Sequence, residues 1–211
     1  MMSKAWRLLG FDAREDEGDG KKTPIPADVR EVMLLRPEIE MPLSVDTNIW
    51  PSHFLYYPHF RTVAREPPLI ETPRESGSDF WLNLTQMRRV LTENGRTAIL
   101  IAVELLAPES ITFSDFASAN IYSATEPVDV LDRSICLGFD VADSGFWSGL
   151  SNCGYSEAER AELRPKWQDR INDFGLLKSE QDAIEFRELS DARVPEHAPF
   201  WVFRLSRLPD L

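Results

Sequence analysis

The chain has 211 residues, a net charge of −12 and a hydrophobic share of 43% that includes six Trp and twelve Phe. That is enough apolar material for one sizeable core and excludes disorder as the overall state. The longest apolar run, Ala98–Leu106, is broken by Glu104 and is about half of the ~20 residues a spanning helix requires, and the apolar run after the basic start MMSKAWRLLGFDARED is too short for a signal peptide; the expectation is a soluble, cytoplasmic protein.

Residues 5–11 (AWRLLGF) predict a short first strand, and the charged, Gly-bearing Asp12–Lys22 predicts a loop. Gly20-Lys21-Lys22-Thr23 is not a phosphate loop, because the G-x-x-x-x-G-K-[ST] spacing is missing. Residues 24–75 hold nine prolines, each of which removes a backbone donor and constrains its predecessor. Short strands at Val32–Leu35 and Phe54–Tyr57 are expected there, and Trp50, Phe54, Tyr56, Tyr57 and Phe60 imply an ordered wrap. Asp79–Glu93 reads as a helix capped by Ser78, with Phe80, Leu84, Met87 and Leu91 on one face and Asn94-Gly95 as its stop. Asn83-Leu84-Thr85 inside it matches a glycosylation sequon by chance. Thr97–Leu106 has no polar alternation and predicts a central strand covered on both faces, with a buried helix as the alternative.

Residues 107–133 are ambiguous, with one short helix around Ser114–Ala119. The stretch Ile135–Tyr155 (ICLGFDVADSGFWSGLSNCGY) then carries both cysteines, two aspartates and four of the ten glycines. It opens as an interior strand of period two, with Ile135, Leu137, Phe139 and Val141 toward the core and Cys136 and Asp140 on the other face. An ordered turn follows, anchored by Phe146, Trp147 and Tyr155. Ser156–Phe174 predicts a helical region with Leu163, Trp167, Ile171 and Phe174 as its stripe, Pro165 as a kink or restart and Gly175 as its stop. Ser179–Asp182 resembles a capping box and opens a helix to about Ala192; Phe200–Leu205 is a final strand.

The fold expectation is a single α+β domain over 1–211, with a proline-rich part at 1–75 and a more regular part at 76–211. Its sheet, mixed or antiparallel, has about five or six strands, with helices mainly on one face.

Candidate chemistry is sparse. Cys136 and Cys153 match neither a redox pair nor a zinc site, and the thiols are expected reduced. A Cys-His-Asp constellation of Cys153, His197 and Asp140 would serve a hydrolase, the imidazole generating thiolate in the Gly145–Tyr155 turn. Gly145-Phe146-Trp147-Ser148-Gly149 has its serine off the apex that a nucleophile elbow needs. Asp140-x-x-Asp143 could join a histidine at a metal, but His53 and His59 are six apart and no ligand motif is present, so no cofactor or metal is expected.

Charge carries the leading reading. Residues 104–143 hold one base, Arg133, against eight acids (Glu104, Glu109, Asp115, Glu126, Asp129, Asp132, Asp140, Asp143), a net of −7. Such a region repels nucleic acid and steers a basic protein partner. The expectation is an acidic binding protein that occludes a basic partner, such as a bacterial immunity protein that neutralises a toxin. Glu126, Asp129, Asp132, Asp143, Trp147 and Tyr155 are its contact residues.

Overall fold

The structure, a computed structural model, describes residues 4–16, 60–62, 81, 83–93, 95, 99–108, 128–143, 148–150, 156–172 and 176–209. Over these it is α+β: an antiparallel sheet and three helices. The strands are β1 (Lys4–Asp16), β2 (Phe60–Thr62), β3 (Ile99–Pro108), β4 (Ile135–Ala142) and β5 (Trp201–Arg207), in the order β2-β1-β3-β5-β4. The five or six strands expected come down to four of full length, because β2 has three residues. The candidate strands at Val32–Leu35 and Phe54–Tyr57, and the helix at Ser114–Ala119, lie outside the described residues.

The described residues fall into two compact units. The first holds β1, β3 and helix α1 (Leu84–Glu93). β1 is 13 residues long, so Asp12–Asp16 continues the strand where a loop was expected. The extension is possible because β1 pairs antiparallel with the whole length of β3, from Lys4↔Pro108 to Arg14↔Ile99. A register shift between Leu8 and Gly10 changes the phase of the alternation. Leu8 before it and Phe11 and Ala13 after it thereby join one cluster, with Leu84, Met87, Leu100, Ala102 and Leu208.

Helix α1 lies on that cluster through Leu84 and Met87, with Leu91 beside them. Its start differs from the expectation: Asn83 caps it, Oδ1 accepting from the Gln86 N–H at 2.8 Å. Trp81 is bridged to Phe11 by two backbone hydrogen bonds of 2.8 and 2.9 Å, which keeps it out of the helix. Gly95, at φ +60°, stops the helix as expected.

β3 is buried from Ile99 to Leu106, the strand covered on both faces that its composition predicts. Its one charge, Glu104, is met by Arg204, whose Nε and Nη2 donate to Oε2 and Oε1 at 2.7 and 2.5 Å. The guanidinium also lies 4.5 Å from the Trp6 ring centroid.

The second unit holds most of β4, helix α2 (Glu157–Trp167) and helix α3 (Glu180–Arg193). α2 opens with a capping box, Ser156 Oγ accepting from Glu159 N–H while the Glu159 carboxylate accepts from Ser156 N–H. Hydrogen bonds from Ser156 and then from Arg193 hold the Glu159 carboxyl down at about 2. Pro165 stands inside α2, which gives way to a single 3-10 turn at Gln168–Arg170. The predicted stripe survives as Trp167 and Ile171, both buried. Phe174 and Gly175 lie outside the described residues.

α3 has the cap read from the sequence, Ser179 Oγ accepting from Asp182 N–H. It runs antiparallel to α2: Arg193 near its end meets Glu159 near the start of α2, and Arg170 meets Asp182 and Glu185 near the start of α3. Between them Trp167 and Phe186 pack edge to face at 4.9 Å, with Arg170 over the indole.

β4 departs most from expectation. It ends the strand order and is not interior. Ile135 is 66% exposed, Phe139 is half-buried and Asp140 is buried, where Ile135 and Phe139 were expected inside and Asp140 outside. The cause is a clip on the outer edge. Ile171 and Leu177 bridge each other, and Leu177 exchanges two backbone hydrogen bonds with Phe139. Asn172 Nδ2 donates to the Leu137 carbonyl at 2.7 Å.

Gly138 makes this close approach possible. Its φ is +143°, and an added Cβ would meet Leu176 Cβ at 2.7 Å, Asn172 Nδ2 at 2.8 Å and the Leu177 carbonyl at 2.9 Å. Gly138→Ala should therefore destabilise the fold by about 1–3 kcal/mol, checked by urea denaturation. A change within error would mean that the clip does not hold β4 this tightly.

A second outcome concerns the Glu104–Arg204 pair, whose side chains are 5% and 30% exposed. Arg204→Leu should cost about 2–4 kcal/mol, discounted for the partly solvated arginine, because it strands a buried carboxylate. The double variant Glu104→Leu/Arg204→Leu should recover most of that loss in the same assay.

Candidate functional site

The C-terminal end of β4 gathers the polar groups that packing alone does not require. The chain returns to this end at Ser148, which bridges Ala142, and Gly149 N–H donates to the Val141 carbonyl at 2.7 Å. Two aspartates belong to this end, and in an extended chain positions three apart project to opposite sides. Asp140 and Asp143 accordingly have different partners.

Asp140 points inward. Its Oδ1 accepts from Ser148 Oγ at 2.7 Å and from the Val141 N–H at 2.7 Å. Ser148 Oγ in turn accepts from Leu150 N–H at 3.1 Å. Burial pushes the Asp140 carboxyl well above its ordinary range, and the two hydrogen bonds oppose this only in part. Ser148, which the sequence offered only as a displaced nucleophile, is thus the hydroxyl donor that satisfies a buried acid.

Asp143 is also buried, 5% exposed, and its Oδ2 lies 3.0 Å from His197 Nδ1. The imidazole is half-exposed. His197 follows α3 in a short turn: its N–H donates to the Val194 carbonyl at 3.0 Å, and Phe200 N–H donates to Asp191 Oδ1 at 2.7 Å. Both sides of the segment are tied back to α3 or to the residue that ends it, so the ring is held against Asp143 from two directions.

The Cys153–His197–Asp140 constellation therefore divides. His197 takes Asp143 as its carboxylate, Asp140 takes Ser148, and Cys153 lies outside the described residues. Asp140 and Asp143 thus have separate partners. Among the described residues no group of three or more His, Cys, Asp or Glu side chains is placed to hold a metal ion. The Asp143–His197 pairing carried no sequence signal, because 54 residues separate the two.

Of the expected contact residues, Asp132 is exposed in a 3-10 turn at Val128–Arg133, and Asp129 belongs to the same turn. Asp143 is buried against His197 and is not an open surface group. Glu126, Trp147 and Tyr155 lie outside the described residues. Cys136 is exposed near the start of β4. No helix is long and apolar enough to cross a membrane, among the described residues. Compared with family models, with curated proteins and with solved structures, the chain gives no match.

The raised Asp140 carboxyl has a pH consequence. Between the ordinary value of 3.8 and its raised folded value, the native state holds a proton that the unfolded state has released. Stability then falls as pH rises through that window. Asp140→Asn keeps an oxygen acceptor for Ser148 and Val141 and cannot ionise. Its unfolding free energy relative to the parent should increase as pH rises above about 4, measured by denaturant titration at a series of pH values. A constant difference would show that Asp140 ionises equally in both states.

Proposed function

We propose that this chain is an acidic cytoplasmic binding protein that inhibits a basic protein partner by occlusion, as a bacterial immunity protein does a toxin. One observation carries the reading: the net charge of −7 over residues 104–143, against −12 for all 211. Burial narrows the contact surface within that stretch. Glu104, Asp140 and Asp143 are inside and engaged by Arg204, Ser148 and His197. The turn Val128–Arg133 supports the reading best, because it presents Asp132 to solvent while Val130 and Leu131 pack on the core cluster. Ser134 closes the turn, its N–H and Oγ both donating to the Leu131 carbonyl. A charge mounted on an anchored turn loses little conformational entropy when a partner docks.

The test is native co-purification, with the captured protein identified by intact mass and its association followed kinetically. Raising ionic strength from ~0.01 to ~0.15 M should lower the association rate by about tenfold or more with little change in dissociation. Asp129→Lys/Asp132→Lys should slow association, while Glu162→Lys/Glu188→Lys, exposed positions on α2 and α3, should not. Equal behaviour of the two double variants, or a rate indifferent to salt, would sink the proposal.

A further inference from the structure

We propose that His197 is a general base oriented by Asp143, and that it promotes hydrolysis of neutral acyl esters at the β4 end of the fold. The inference is independent of the binding surface at Val128–Arg133. It starts from an asymmetry within one pair: the Asp143 side chain is 8% exposed and the His197 side chain 50% exposed, at 3.0 Å. A carboxylate inside and an imidazole half outside is the arrangement in which the acid fixes ring orientation and tautomer while the far nitrogen meets a reactant. In the tautomer that lets Nδ1 donate to Asp143 Oδ2, Nε2 keeps its lone pair. The backbone that carries the ring is fixed as well, since the His197 main-chain N–H donates to the Val194 carbonyl and the Phe200 main-chain N–H donates to Asp191 Oδ1.

The surroundings select the substrate. Asp143 and Glu196 lie at or beside this end of the fold, on a chain of net charge −12, so phosphate and sulfate esters are repelled and an uncharged acyl group is not. The step balances without a cofactor. Nε2 accepts a proton from water as the water oxygen bonds to the acyl carbon. The C–O bond to the leaving oxygen then breaks, and the imidazolium returns the proton to that oxygen, giving a carboxylic acid and an alcohol. Asp143 stays hydrogen-bonded to Nδ1 throughout and stabilises the imidazolium.

The experiment uses the full chain and p-nitrophenyl acetate. The parent should exceed free imidazole at equal concentration, and His197→Ala should lower the rate by about a hundredfold, the lower end of what a positioned base contributes. Because His197→Ala also removes a partner from the buried Asp143 carboxylate, its circular dichroism spectrum and urea stability are measured beside the rate, and rates are compared where both proteins are folded. Added imidazole should restore part of the lost rate. The other two histidines provide the control: His53→Ala/His59→Ala should retain the parent's rate. Asp143→Asn should slow the reaction while leaving ester affinity unchanged. Because loss of a buried carboxylate can loosen the turn, the parent's solvent deuterium isotope effect gives a second reading, and proton transfer to Nε2 requires the rate in H2O to exceed that in D2O. A His197→Ala variant as fast as the parent, a parent no faster than free imidazole, or the absence of an isotope effect would overturn the proposal.

Discussion

The Glu104–Arg204 pair is the constraint around which the sheet is arranged. A strand buried on both faces has no place for a lone carboxylate, and removing one from water costs several kcal/mol. Glu104 is tolerable in β3 only if a cation arrives at that position on the neighbouring strand, and this fixes β5 in register. The backbone bond from Leu208 N–H to the Leu100 carbonyl has the same offset: four residues on along β5 and four back along β3, as antiparallel pairing demands. A slip of one residue would turn Arg204 to the other face and leave Glu104 uncompensated. The pair therefore selects an arrangement more than it adds stability, and Trp6 on β1 lies beside the arginine to complete it.

The other organising device lies at the sheet's edge. β4 ends the strand order, and an open edge is a template for unwanted pairing. Leu177, itself bridged to Ile171, occupies that edge, with Asn172 as a side-chain latch on the Leu137 carbonyl. Gly138 is the condition for this, because a side chain there would collide with both Leu176 and Asn172. Covering β4 in this way leaves Ile135 and Cys136, beyond the clip, exposed while every residue from Asp140 to Asp143 is buried. Sequence clustering of acids is thus not the same as surface clustering. The stretch 104–143 looks uniformly anionic as text, yet Glu104, Asp140 and Asp143 spend their charge or proton inside the fold.

Local chemistry made much of the framework readable. The unbroken apolar run of β3, the Ser179 cap of α3, the Phe200–Leu205 strand and the Gly95 stop each follow from signals within a few residues. What escaped depended on contacts distant in sequence. The bulge near Leu8 and Gly10 changes which side chains of β1 face inward, and only pairing with β3 reveals it. The strict alternation read for Ile135–Val141 assumed one wet face and one dry face, but Ile135 and Cys136 are both exposed while Asp140, Val141 and Ala142 are all buried. Ser78 looked like a cap because the hydrophobic pattern continues through Phe80, but Trp81 is committed to β1, and the helix must wait for Asn83. At the site, His197 and Asp140 were legible as reactive types, whereas the choice between Asp140 and Asp143 as the partner of the imidazole was set by strand geometry alone.

That choice has chemical content. Asp140 and Asp143, three residues apart and both buried, meet different partners. Asp140 faces a hydroxyl and an amide deep in the structure, where desolvation favours the protonated form. Asp143 faces a half-exposed imidazole. One acid is thereby committed to structural hydrogen bonds from a hydroxyl and an amide, and the other to the ring of His197. Environments that separate the tasks of like groups mark acid–base assignments in a fold. Ser148 serves this separation directly, since its hydroxyl engages Asp140 from the returning chain and leaves Asp143 as the carboxylate that meets His197.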